Sequence, residues 1–123
     1  MAMFVGCSAN EHEAVEQVLN QRSQAMHEKN IQHYAALIAN DYIALGRDKN
    51  KVVDDVQHLF QTFDKIEMVT HDRTVRVLPH GHAECEQSYT LKAYADGQWR
   101  VMTRREQLML QKKGDVWKVT AGL

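Results

Sequence analysis

The sequence predicts a single α+β domain in which three N-terminal helices pack on a curved antiparallel β-sheet. In the first half of the chain, apolar residues recur every three or four positions, which is typical of amphipathic helices. From Ile66 onward they alternate with polar residues, which is typical of strands. Turn-forming residues divide this second half into four segments, so we expect helices followed by a four-stranded meander.

Length and charge restrict the class of protein. The chain has 123 residues, which suits one domain. Its 15 basic and 16 acidic residues give a formal charge of −1, which argues against a nucleic-acid binder. No apolar stretch approaches the roughly 20 residues needed to span a bilayer. We therefore expect a soluble, cytoplasmic protein with no transmembrane segment.

The first ten residues are predicted to be a flexible tail, and the domain is predicted to span residues 11–123. Phe4-Val5-Gly6-Cys7 resembles the end of a bacterial lipoprotein signal, in which a small residue precedes the lipidated cysteine. Only six residues precede Cys7, too few for the hydrophobic region of such a signal. A lipoprotein anchored through Cys7 is therefore an alternative that requires an upstream segment. Cys85 lies in an alternating run and is predicted to be a buried, small apolar residue.

The elements follow from these periods. Helices are predicted over residues 11–29 and 31–39, and a third is marked by apolar residues from Val52 to Phe63, with Asn50 as its cap. A short strand at residues 42–45 precedes the third helix. Long strands are predicted over residues 66–78, 82–94 and 98–112, with a shorter one at 116–121. They are joined by turns at Pro79-His80-Gly81, Asp96-Gly97 and Lys113-Gly114.

These turns predict the register of the sheet. A two-residue turn at Asp96-Gly97 gives the following pairs: Leu91 with Met102, Tyr89 with Arg104, Gln87 with Glu106, Cys85 with Leu108, and Ala83 with Leu110. A three-residue turn at Pro79-His80-Gly81 adds Val69 opposite Leu91, His71 opposite Tyr89, Arg73 opposite Gln87, and Val75 opposite Cys85. The last turn adds Trp117 beside Leu110 and Val119 beside Leu108. The resulting face is apolar at both ends, with a polar band between them: His71, Arg73, Gln87, Tyr89, Arg104 and Glu106.

Two stretches resemble a known superfamily. Residues 25–42, AMHEKNIQHYAALIANDY, resemble the helix-helix-strand opening of the nuclear transport factor 2-like, or SnoaL-like, superfamily. Residues 108–119, LMLQKKGDVWKV, are similar to its final hairpin. The resemblance implies a cone-shaped fold, a pocket between the concave sheet and the helices, and a homodimer. Members include ketosteroid isomerases, epoxide hydrolases, polyketide cyclases, dehydratases and non-enzymatic binding domains, and the fold does not choose among them.

The sequence departs from the steroid isomerases of this superfamily at both key positions. Arg22 occupies the place of their oxyanion-holding tyrosine on the first helix. The place of their catalytic aspartate falls near Gly46. Isomerase chemistry by the usual residues is therefore not expected.

Candidate site residues come from the polar band and from the helices that face it. We predict His71, Glu106 and Tyr89 as catalytic candidates, since a histidine or carboxylate can move a proton and a tyrosine can stabilise an oxyanion. The ligand-binding candidates are Arg22, Arg73, Gln87, Arg104 and Tyr34. Arg22 lies on the apolar stripe of the first helix, where a guanidinium could bind an anionic ligand. The alternative is a structural ion pair with Glu106, or an arginine that reaches the rim.

No cofactor or metal is expected, because the sequence contains no zinc spacing and no glycine-rich phosphate loop. The opposite sheet face carries Tyr94, Trp99, Val101 and Met109, and this apolar surface predicts a homodimer interface. Taken together, the residues predict a small-molecule binding domain that could also be an isomerase, hydrolase or cyclase. The alternative is a non-catalytic homodimeric binding or interaction domain.

Overall fold

The computed structural model describes the backbone of residues 2–123 and the side chains of residues 10–123. Three helices come first: α1 (Ala2–Glu28), α2 (Ile31–Ala36) and α3 (Lys49–Thr62). A short hairpin of β1 (Ile43–Ala44) and β2 (Arg47–Asp48) separates α2 from α3. The main sheet contains β3 (Lys65–Leu78), β4 (His82–Ala95), β5 (Gln98–Lys113) and β6 (Val116–Ala121), in the order β3-β4-β5-β6. All its pairs are antiparallel, so the predicted α+β class is confirmed.

The helix ends follow from local capping. Asn30 begins α2 by accepting a hydrogen bond from the amide of His33 at 3.0 Å. Asp48, rather than the predicted Asn50, caps α3, because its carboxylate accepts the amide of Lys51 at 2.9 Å.

The core lies between α1 and the inner face of the sheet. Val15, Leu19 and Met26 are buried on one face of α1, at the helical spacing that the sequence predicts. They pack with buried residues of the sheet: Ala83, Cys85, Leu108, Leu110, Trp117 and Val119. Cys85 has no exposed surface, as predicted.

The lipoprotein anchor that was the alternative at Cys7 falls on a side chain outside residues 10–123. Within the described chain, no helix combines the length and the apolar character needed to cross a membrane.

The central hairpin confirms the predicted register. Gln87 pairs with Glu106, Tyr89 with Arg104, and Leu91 with Met102. The turn at Asp96-Gly97 has positive φ at both residues, 54° and 76°, which is the conformation that a two-residue hairpin turn requires.

The register between β3 and β4 corrects one prediction. The pairing shifts by one residue between His71 and Thr74. Val75 still pairs with Cys85, but Val69 now lies opposite Thr90 and His71 opposite Ser88. A bulge of this kind moves every earlier side chain of the strand to the other face. The prediction that Val69 and His71 lie on the inner face is therefore wrong.

In the hairpin of β5 and β6 the turn differs from the prediction, but the side chains lie on the predicted faces of the sheet. Lys113 pairs with Val116 across a turn at residues 114–115, so Leu110 pairs with Val119 rather than with Trp117. The predicted pairs are wrong by two positions. Because side chains alternate with a period of two, Trp117 and Val119 still point into the core.

Candidate functional site

A buried ion pair connects α1 to the centre of the sheet. Arg22 Nη1 lies 2.7 Å from Glu106 Oε2, and the two side chains are only 12% and 8% exposed. A charge at this depth is tolerated only when it is paired and hydrogen-bonded. The structure therefore gives Arg22 the partner named in the structural alternative.

The same carboxylate oxygen has a second donor. Gln87 has no exposed surface, and its Nε2 donates to Glu106 Oε2 at 2.8 Å. Its Oε1 accepts from Arg73 Nε, also at 2.8 Å. Since both ends of the Gln87 amide are engaged, its orientation is fixed.

Arg73 extends these contacts to α1. Its Nη1 donates to Asn20 Oδ1 at 2.9 Å and lies 3.5 Å from Glu16 Oε2, and its Nη2 donates to Thr70 Oγ1 at 3.0 Å. We call Arg22, Arg73, Gln87 and Glu106 the inner network. It joins α1, β3, β4 and β5 by charge-assisted hydrogen bonds.

Two tyrosines surround the guanidinium of Arg22. Its centre lies 5.8 Å from the ring centroid of Tyr89, within the range of a cation–π contact. Burial raises the pKa of Tyr34, against the opposing effect of the positive charge of Arg22, so Tyr34 stays a neutral hydroxyl. Burial by itself would lower the pKa of Arg22, but its interactions with Tyr34 and Glu106 outweigh this and raise it. Arg22 Nε is buried with no hydrogen-bond partner among the described residues.

Beyond this network, the inner face opens into an apolar groove. The groove has a volume of about 210 Å³ and lies between α3 and the part of the β4–β5 hairpin near the Asp96-Gly97 turn. It is lined by Leu59, Phe63, Leu91, Ala93, Arg100, Val101 and Met102. The next pair toward the inner network is Tyr89 with Arg104.

Arg104 is exposed at the junction of these two regions. Its Nε lies 3.2 Å from the sulfur of Met102. Unlike Arg22, it has no ion-pair partner within residues 10–123. A positive charge is thus available beside an apolar groove, which is the arrangement that suits a ligand with an apolar body and a polar or anionic group.

The structure brings together most of the predicted site residues. Arg22, Arg73, Gln87 and Glu106 form the inner network, and Tyr34 and Tyr89 contact its charge. His71 is the exception. Its side chain is 45% exposed on the outer face, where Nδ1 lies 3.2 Å from Asp72 Oδ2.

Several residues of the site were not predicted. Thr70 points inward because of the bulge, and Asn20 and Glu16 hold Arg73 from α1. A signal for the bulge was present: Asp72 interrupts an alternating strand, and aspartate is among the residues that adopt the left-handed conformation most readily. Asp72 has φ of 54°.

Within residues 10–123, no three histidine, cysteine, aspartate or glutamate side chains are grouped so that they could hold a metal ion.

Comparison with known proteins identifies the fold. No family model matches the sequence, and no curated protein matches it. Solved structures do match. A candidate dehydratase of the nuclear transport factor 2-like family from Streptomyces avermitilis superposes with a TM-score of 0.82 at 11% identity, covering 94% of this chain and 95% of that one.

Two further structures match over similar lengths. A candidate aromatic ring hydroxylase from Novosphingobium aromaticivorans gives a TM-score of 0.80 at 12% identity, covering 94% of each chain. A candidate calcium/calmodulin-dependent protein kinase II association domain from Xanthomonas campestris gives 0.74 at 18% identity, covering 88% of this chain and 81% of that one. The protein therefore has the nuclear transport factor 2-like, cone-shaped fold that the resemblance implied. At these identities the likeness concerns the fold, which hosts both enzymes and binding domains.

Proposed function

We propose that the protein is a non-catalytic binding domain for a small molecule with an apolar body and an anionic or carbonyl group. The apolar part occupies the groove beside Phe63 and Met102. Tyr89 and Arg104 meet the polar group at its inner end. The observation that carries this proposal is a contrast between two charges. Arg104 lies beside an apolar groove with no ion-pair partner among residues 10–123, whereas Glu106 accepts hydrogen bonds from Arg22 and Gln87.

The engagement of Glu106 argues against proton transfer at this site. A general base must lie within hydrogen-bond reach of the substrate. Arg22 and Gln87 both donate to Glu106 Oε2, the Glu106 side chain is only 8% exposed, and Glu106 does not line the groove. His71, the other candidate for moving a proton, is on the opposite face. A binding role therefore accounts for the site better than an isomerase, hydrolase or cyclase role.

The size of the groove restricts the ligand. Sites for drug-sized molecules are typically about 300–1,000 Å³, and this groove has about 210 Å³. A single ring or a short alkyl chain carrying one carboxylate or ketone fits this description.

The test is a thermal-shift and calorimetric screen of small carboxylates and their uncharged amides, such as benzoate with benzamide and hexanoate with hexanamide. Binding to the native state raises Tm by mass action. Met102→Trp fills the groove and Arg104→Gln removes the charge, and both variants are expected to abolish the shift. Arg105→Gln is the matched control, since it removes the same charge from the adjacent residue on the outer face.

A panel without any shift, or an equal loss in Arg105→Gln, would overturn the ligand proposal. A carboxylate that binds as well to Met102→Trp as to the unmodified protein would place the ligand elsewhere.

We also propose that two copies associate through the outer sheet face. Trp99 and Val101 are 45% and 61% exposed on this face, and the bulge adds Val69 at 57%. The Trp99 and Tyr94 rings are in contact, with centroids 5.2 Å apart, so this surface is ordered before association. Exposed apolar patches of this kind mark protein interfaces.

Sedimentation velocity at micromolar concentration tests the dimer. The unmodified protein is expected to sediment as a dimer, and Val101→Glu is expected to sediment as a monomer. Val116→Glu is the control, because Val116 is an exposed strand valine of β6 rather than of the predicted patch. A monomer in the unmodified protein would exclude this interface.

A further inference from the structure

A second polar cleft lies where the segment after α2 meets β6 and α3. Ile38 pairs in parallel with Val119, and two backbone hydrogen bonds, Ala39 N to Val119 O and Val119 N to Leu37 O, join the segments at 3.0 and 2.9 Å. This pairing brings Asn40 beside the β5–β6 hairpin. A cavity of about 310 Å³ results, lined by Ile38, Ala39, Asn40, Asp41, Lys113 and Lys118.

An adjoining cavity begins at the same asparagine. It measures about 280 Å³ and is lined by Asn40, Asp48, Lys49 and Asn50, at the first turn of α3. We call the two cavities together the lysine cleft. No predicted site residue lines it, and it does not share a residue with the apolar groove.

The positive charges of this cleft exceed its available negative charges. Lys113 Nζ pairs with Asp41 Oδ2 at 3.0 Å, and the Asp48 carboxylate accepts the amide of Lys51. Lys49 Nζ instead bonds a neutral oxygen, Asn40 Oδ1, at 3.0 Å.

Lys118 is in the same situation. Its ammonium bonds the carbonyl oxygen of Ala36 at the end of α2. Within residues 10–123, neither Lys49 nor Lys118 has a carboxylate at ion-pair distance. Two ammonium groups therefore share this cleft without a direct ion pair, and its lining of three lysines and two aspartates carries a net charge of +1.

Further hydrogen-bond donors lie beside these lysines. Partial burial, together with the positive charge of Lys118, lowers the pKa of Lys49, and a bound anion would relieve this repulsion. Because Asn40 Oδ1 already accepts from Lys49, the Asn40 amide nitrogen is left to donate. The amides of α3 that precede the Asp48-capped Lys51 amide add donors at the positive end of a helix of 14 residues.

We propose that the lysine cleft binds a tetrahedral oxyanion, either inorganic phosphate or a phosphate monoester, between Lys49, Lys118 and the Asn40 amide. Several donors converge there from different elements, and a multiply charged anion compensates both ammonium groups. A phosphate monoester can also place its organic group in the remaining volume of the cleft. This site is independent of the ligand proposed for the apolar groove.

The experiment is a nitrogen–proton NMR titration of the full chain with inorganic phosphate, phenyl phosphate or chloride, at constant ionic strength. We expect saturable shifts of the Asn40 side-chain amide and of the backbone amides of residues 49–51 with both phosphates. Chloride is expected to give none. Tighter binding of phenyl phosphate would show that the site takes an ester, and equal binding would show that it takes the free ion.

Three lysine variants distinguish a specific phosphate site from nonspecific electrostatic attraction. Lys49→Gln and Lys118→Gln are each expected to weaken phosphate binding about tenfold. Lys51→Gln is the matched control, because it removes the same charge two residues from Lys49, where the side chain pairs with Asp55, and it should change affinity less than about twofold. Lys118 also contacts the end of α2, so Lys49→Gln, which leaves that contact in place, decides the result if Lys118→Gln fails to fold.

Equal weakening by all three variants, or the same shifts with chloride, would overturn the proposal. Arg104→Gln should leave phosphate binding unchanged, so a failure here and a failure of the apolar groove are distinguishable.

Discussion

Two regions of the inner sheet face, the inner network at its centre and the groove near the Asp96-Gly97 turn, differ in how their charges are satisfied. At the inner network, Arg22 and Glu106 are paired at 2.7 Å and nearly buried, and Gln87 is fixed at both ends of its amide. At the groove, two residue pairs further along the same strands, Arg104 is exposed and has no carboxylate partner among the described residues. The polar residues of the concave face thus form a structural connection to α1 in one region and leave an exposed arginine beside an apolar groove in the other.

This contrast shows why residue type alone does not identify a site. Arg22 on α1 and Arg104 on β5 both lie at the inner face of the sheet. Arg22 is buried and paired with Glu106, whereas Arg104 is exposed beside Met102, so its guanidinium is available for a ligand. The largest effects on stability are therefore expected at the inner network, and the smallest at the groove.

Removing Glu106 should have the largest effect. Glu106→Ala leaves Arg22 as a buried, unpaired charge, and we expect a loss of about 3–5 kcal/mol in the free energy of unfolding, measured by urea denaturation. Glu84→Ala is the control. Glu84 pairs with Arg76 at 2.6 Å, but that arginine is 56% exposed, so the loss should stay below about 1 kcal/mol.

The double variant Arg22→Met, Glu106→Leu removes both charges and should recover part of this loss, because apolar residues can replace a buried ion pair, whereas Gln87 Nε2 stays without its acceptor. A loss for Glu106→Ala as small as that for Glu84→Ala would mean that the inner network is hydrated and does not connect α1 to the sheet.

The rate of thiol labelling should also distinguish the buried part of the inner face, around Cys85, from the groove. Burial raises the pKa of Cys85 to about 11, so near pH 8 the thiol is protonated as well as inaccessible. In a Cys7→Ser background, Cys85 should react with a disulfide reagent about 10³-fold more slowly than the cysteine of Met102→Cys, Cys85→Ser. In urea the two rates should converge. Labelling rates of the native protein within tenfold of each other would mean that the region around Cys85 opens without global unfolding.

The bulge that separates the faces of β3 should have an intermediate effect. Asp72 has φ of 54°, where a β-branched side chain is strained. Asp72→Val should cost about 1–2 kcal/mol in the free energy of unfolding, whereas Asp72→Gly should cost little, since glycine adopts this conformation freely. Both variants lose the contact with His71, so their difference reports the backbone alone. Equal losses would show that the strand relaxes around the substitution.

The same bulge marks the limit of what the sequence could predict. The pairs between β4 and β5 follow from one turn, Asp96-Gly97, whose residues require a two-residue connection, and all of them are correct. The pairing of β3 cannot be extrapolated from its turn, because a single residue in the left-handed conformation changes the face of every residue before it. Val75 is predicted correctly on one side of Asp72, and His71 wrongly on the other.

The sequence predicted which residues lie together in the candidate site better than it predicted what each residue does there. The register placed Glu106, Gln87 and Tyr89 together, and the helical period placed Arg22 above them. Whether Arg22 is free for a ligand depends on the height of α1 above the sheet, which local sequence does not encode. The groove beside Arg104 depends likewise on where α3 lies relative to β4 and β5.

The smallest effect on stability should come from the groove itself. Met102 lies on the same face as Glu106 but is partly exposed, and its neighbours leave open volume. Met102→Ala should therefore change the free energy of unfolding by less than about 1 kcal/mol, since little buried area is lost and no closed cavity is created. If the groove binds a ligand, the same substitution should weaken binding several-fold while stability stays constant. A loss near 3 kcal/mol would instead place Met102 in the core and make the groove a packing defect, which would remove the distinction between the two regions.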